Sequence, residues 1–107
     1  MSHITHDIRH GLSLDQAKRV AHAALDDYLA RYSSRGLRAA WSSETRAEVE
    51  VAVKGVRLAA VVDVLPDVLR VDANVPFVLR AFKGTAIATV EREVQKWIDR
   101  EKTQAPA

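Results

Sequence analysis

The chain contains no cysteine among its 107 residues. That excludes disulfides, thiol chemistry and thiolate metal sites, and it suits a reducing compartment. No apolar run approaches the roughly 20 residues of a membrane-spanning helix. The longest candidate, residues 56–65, is interrupted by Arg57 and Asp63. The first ten residues lack the apolar core of a secretion signal and mix acid with base. A soluble, cytoplasmic protein is therefore expected. Glycine is scarce, with four dispersed residues, so there is no glycine-rich phosphate loop. Neither sign of charge dominates: 16 Lys and Arg stand against 14 Asp and Glu, for a net charge of +2. Interspersed in this way, the charges describe a solvated surface more than a nucleic-acid footprint.

What is present is enough for one small core. The hydrophobic fraction of 48% is ordinary for a globular domain. Residues 3–9 read as a short strand with Ile4, His6 and Ile8 on one face. Ser13 then offers an N-cap, with Gln16 three residues on completing a capping box and Asp15 in the first turn. The apolar stripe Leu14, Ala17, Val20, Ala21, Ala24, Leu25, Tyr28, Leu29 and Tyr32 predicts a helix of about 18 residues. Gly36 is placed to end it.

The period then changes to two. Leu37, Ala39 and Trp41 alternate with Arg38 and Ala40. Ser42-Ser43-Glu44-Thr45 reads as a turn. Ala47, Val49, Val51 and Val53 alternate with Arg46, Glu48 and Glu50, the pattern of a strand packed on one side only. Lys54-Gly55 reads as a two-residue hairpin turn. Val56–Val64 and Val68–Val75 complete an antiparallel meander, separated by a turn at 65–67. Pro76 ends the sheet and favours a helix start. The second helix is expected from about Phe77 to Arg100, with the stripe Leu79, Phe82, Ala86, Ile87, Val90, Val94, Trp97 and Ile98. Gly84 near its beginning implies close packing or a break between two helical segments. The prediction is a single α+β domain over 1–102, ordered β-α-β-β-β-β-α, with two amphipathic helices on one face of the sheet. Residues 103–107 read as a disordered tail.

No constellation of residues in the sequence amounts to an active site. His3, His6 and His10 lack an established zinc spacing, and surface or cap roles account for them. Ser13 lies outside any nucleophile elbow and is explained by capping. Asp63, Asp67 and Asp72 bracket one hairpin, where turn and solvent-face roles outweigh acid–base work. No cofactor, metal or enzymatic activity is expected. Two groups of cations remain as candidate interaction surfaces. Arg31, Arg35 and Arg38 cluster where the first helix ends, near Tyr32 and Trp41. Arg92, Lys96 and Arg100 flank the apolar stripe of the second helix, as on helices that meet lipid-like surfaces or partner grooves. Simple coverage of the sheet by that stripe is the favoured reading.

Several short motifs resemble the polyhydroxyalkanoic acid system proteins, also described as a polyhydroxyalkanoate granule-associated family. They are His-Asp-Ile-Arg-His-Gly-Leu-Ser-Leu-Asp-Gln-Ala-Lys at 6–18, Trp41, Val-Lys-Gly-Val at 53–56, Leu-Arg-Ala-Phe-Lys-Gly at 79–84 and Val-Glu-Arg-Glu-Val at 90–94. The similarity runs from residue 4 to about 100. It departs at 42–46, where a glycine-containing loop is replaced by Ser-Ser-Glu-Thr. The resemblance implies a setting in bacterial synthesis and storage of this polyester and assigns no catalytic residues. It implies a non-enzymatic accessory protein whose partners are granule proteins or the granule surface. A small basic nucleic-acid-binding module and a hydroxyacyl-binding domain are the alternatives. An exposed sheet edge also invites a homodimer.

Overall fold

The alternating residues of the sequence form strands and the three-four stripes form helices in the computed structural model, which describes residues 2–53, 55–76, 81 and 83–104. The elements are β1 (Ser2–Arg9), α1 (Leu14–Tyr32), β2 (Arg38–Trp41), β3 (Arg46–Val53), β4 (Val56–Val64), β5 (Val68–Val75) and α2 (Lys83–Gln104). The order β-α-β-β-β-β-α and the α+β class are those expected.

The five strands form one antiparallel sheet in the order β1-β5-β4-β3-β2. The meander from β2 to β5 follows from its short turns. Gly55 has φ of 79°, the left-handed geometry such a hairpin requires; Lys54 lies outside the described residues. β1 joins the far edge beside β5, pairing from Ser2↔Val75 to Arg9↔Val68. That register keeps Ile4, His6 and Ile8 on the same face as Val71 and Leu69.

α1 starts as its capping box dictates: the Gln16 amide donates to Ser13 Oγ, and the Ser13 amide to Gln16 Oε1. It ends in a short 3-10 turn, Ser33–Arg35, closed by Gly36 at φ 92°. A Cβ on Gly36 would also lie a tight 3.1 Å from that of Ala52, so both the positive φ and the close neighbour favour glycine. α2 is described from Lys83; Phe77–Arg80 and Phe82, where its first turns were expected, lie outside the described residues. At the other end it outruns the expected boundary. Thr103 is helical, its hydroxyl donating to the Asp99 carbonyl at 2.9 Å. A Cβ on Gly84 would meet no atom within 4 Å, so close packing does not explain this glycine.

Both helices pack on one face of the sheet. Ile8, Ala17, Val20, Ala21, Val64, Leu69 and Ile98 form the buried cluster, with Leu12, Trp41, Val94 and Trp97 packed around it. The cluster gathers where α1 begins and α2 ends. His10, fully buried, ties this region together. The Leu12 amide donates to His10 Nδ1 at 3.0 Å, so the ring proton sits on Nε2 and is donated to the Leu65 carbonyl at 2.8 Å. One neutral imidazole thus joins the β1–α1 corner to the β4–β5 turn.

Candidate interaction surface

The helices meet along a groove floored by Tyr28 and Trp97. Tyr28, Arg31 and Tyr32 share one face of α1 at helical spacing, and Trp97 and Arg100 do so on α2. The Arg31 guanidinium lies 5.1 Å from the Tyr28 ring centre and 5.4 Å from that of Tyr32, while pairing with Asp27 at 2.7 Å. Arg100 lies 4.7 Å over Trp97. Lys96, one turn back, pairs with Glu93 at 3.0 Å. That hydrogen bond holds the Glu93 carboxyl below its ordinary range. Burial pushes the Tyr28 phenol up, with Trp97 acting in the opposite direction.

Of the candidate cations, Arg31, Lys96 and Arg100 therefore line one groove with Tyr28 and Trp97. Arg92 lies on the other flank of α2, beside a shallow depression with Ala88, Glu91, Gln95 and Asp99. Arg38 stands on the open face of the sheet, opposite Glu50. Arg31 and Arg38 thus point to different faces of the domain. The Arg35 side chain lies outside the described residues. Trp41 is on the helix-covered face, its ring stacked on His22 at 3.6 Å and 10°. His22 stands outside the apolar stripe of α1. It also hydrogen-bonds the Glu44 carbonyl, while Lys18 pairs with the Glu44 carboxylate at 3.2 Å, so the Ser-Ser-Glu-Thr turn is fastened to α1.

The uncovered sheet face pairs acid with base. Arg70 grips Asp7 through two hydrogen bonds of 2.8 and 3.0 Å, which holds the Asp7 carboxyl below its usual range. Arg46 lies 3.8 Å from Asp63, and Arg57 pairs with Glu50. Asp72 accepts from Thr5 and approaches His3. The three N-terminal histidines do not converge: His3 is on this face, while His6 and His10 turn toward the helices. Among the described residues, no group of three His, Cys, Asp or Glu is arranged to hold a metal.

One feature departs from the expected coverage. Val94, Trp97 and Ile98 do pack against the sheet. Among the earlier members of that stripe that are described, Ile87 is half-buried, Ala86 is exposed and Val90 is 41% exposed. From Gly84 to Val90 there is no charged residue. The segment 84–90, about a third of α2, is therefore uncharged and largely solvent-facing, and it leads into Arg92, Lys96 and Arg100. Periodicity could not separate these parts, because the stripe is continuous; only the length of α1 opposite it could.

The family model described as "Putative polyhydroxyalkanoic acid system protein" matches residues 3–98. The chain belongs to this family. The match runs from His3 in β1 to Ile98 and so takes in nearly all of the sheet, α1 and α2 as far as Ile98; Arg100, which lines the groove, lies beyond it. No curated protein and no solved structure matches the chain. A polyhydroxyalkanoic acid system protein of this shape has, among its described residues, no helix long and apolar enough to cross a membrane.

Proposed function

We propose that the chain is a non-enzymatic accessory protein of polyhydroxyalkanoate metabolism that binds the granule surface or its coating proteins. The observation that carries this reading is the largely exposed, uncharged segment 84–90 of α2, continued by a stretch in which Arg92, Lys96 and Arg100 alternate with acids. An interfacial helix needs this combination: an apolar part to enter the boundary and long basic side chains at its rim. Family membership supports the setting, and the segment supports the mode of contact. The acids set against the basic residues weigh against a nucleic-acid module.

The test is fractionation of granules from cells making the wild-type chain, Val90→Asp or Ala86→Asp, together with pull-downs of granule proteins. Wild type should sediment with granules, and both variants should stay in the soluble fraction while keeping their circular dichroism. Absence of the wild type from granules and from the pull-downs would refute the proposal. Binding to bare polymer particles would identify the surface, rather than a coating protein, as the partner.

A further inference from the structure

The two edges of the sheet are not alike. β2 is four residues long, and a short edge strand offers little to a second chain. β1 is eight residues long, pairs with β5 without a bulge, and contains no proline or lysine. Lysine, proline and a bulge are among the devices that protect an edge, and β1 has none of these three; the charges it carries are Asp7 and Arg9.

The direction of its free groups can be read from one bond. The His10 amide donates to the Asp67 carbonyl at 3.3 Å, continuing the β1–β5 ladder. In an antiparallel pair the bonded residues alternate. The even-numbered residues of β1 therefore bond β5, and His3, Thr5, Asp7 and Arg9 turn their N–H and C=O outward. The β4–β5 side agrees, since the Leu65 amide reaches the Val68 carbonyl and leaves odd-numbered β5 residues for β1.

We infer that a second copy of this chain pairs antiparallel along β1, joining two five-stranded sheets into one with all four helices on the same face. A two-fold axis perpendicular to the sheet permits only registers that keep inner residues opposite inner residues. The register centred on Thr5 sets His3 opposite Asp7 of the second copy, and Asp7 opposite its His3. An imidazole donor thus meets a carboxylate at both ends, and about six backbone hydrogen bonds form between outward-facing residues. Centring on Asp7 would place two carboxylates opposite each other. Centring on His6 would set His3 against Arg9, a basic side chain against a basic side chain. The flank of α2 bearing Ala88 and Arg92 lies on the β1 side of the molecule, where His6 and Glu91 approach to 3.7 Å, so it faces its counterpart across the seam. This pairing does not depend on the polyhydroxyalkanoate reading.

Sedimentation velocity over a concentration series tests the inference, with Thr5→Lys as the disrupting variant. The wild type should shift from monomer to dimer with rising concentration, and Thr5→Lys, which sets two lysines opposite each other, should remain monomeric. Because the chain has no cysteine, Thr5→Cys gives a clean second readout. Under mild oxidation it should form a covalent dimer, whereas Arg9→Cys should not. A wild type that stays monomeric throughout, a dimer that survives Thr5→Lys, or crosslinking equal at both positions would overturn the proposal.

Discussion

Where α1 begins and α2 ends, Ile8, Val64, Leu69 and Ile98 are each at most 4% exposed; where α2 begins, Val75 is buried but Val49, Val51, Leu58 and Ala73 are only half-buried and Val90 is 41% exposed. The strands are continuous between the two ends, and their apolar residues are of the same kinds. What differs is the helical cover. At the first end both helices press on the sheet and His10 fixes the corner. At the second, α1 has finished at Tyr32 and the flank of α2 that it would have met is open. Apolar surface left in water forgoes about 25 cal/mol per Å² of stabilisation. The open end is therefore where a partner can still gain by covering the domain.

This contrast is sharpened most by paired substitutions on one helix. Ile98→Ala should destabilise by about 2–5 kcal/mol in urea unfolding, as expected for a fully buried aliphatic side chain. Val90→Ala, two turns earlier, should change stability by less than about 0.5 kcal/mol. Equal effects would show that the two ends are equally closed. Next in size is His10→Ala, which strips partners from a buried amide and a carbonyl and should cost about 1–3 kcal/mol. At the open end, Gly84→Ala should stabilise by about 0.4–1 kcal/mol, because a Cβ there meets open space and alanine restricts the unfolded chain. The smallest effect concerns the uncovered sheet face. The folded Asp7 carboxyl titrates below its ordinary range because of Arg70, so this pair's contribution is present at neutral pH. It is lost as pH falls through the depressed value. Thermal melts of Asp7→Asn should accordingly show a shallower loss of stability on acidification than wild type.

Much of the fold was legible because its local signals agreed. Ser13 with Gln16, the strict alternation from Arg46 to Val53, and Gly36 and Gly55 at left-handed turns all specify the conformations they adopt. The placement of β1 beside β5 was not legible, because two isoleucines in a short segment cannot choose among sheet positions. The surface was harder to read than the fold. Arg31 and Arg38 are seven residues apart in the chain, yet the change from helix to strand sends them to different faces. His22 is no member of the apolar stripe of α1, but Trp41 lies across from it and Glu44 fastens it there. Such tertiary contacts carry no periodic signature. The exposure of residues 84–90 was illegible for the same reason, since an apolar stripe records which side faces inward but not whether anything lies opposite.

The pairing of β1 with β5 also has a consequence for the order of assembly. Ser2 finds its neighbour in Val75, and even Arg9 must wait for Val68. A chain leaving the ribosome N-terminus first can form α1 and the β2–β4 hairpins from local contacts while β1 has no strand to join. Closing so long a loop is the slow, entropically costly part of folding. During that interval an amphipathic strand stays unpaired beside other nascent chains. Completion of the sheet is therefore timed by the emergence of its fifth strand, and β1, made before the strand it joins, is the last to be secured.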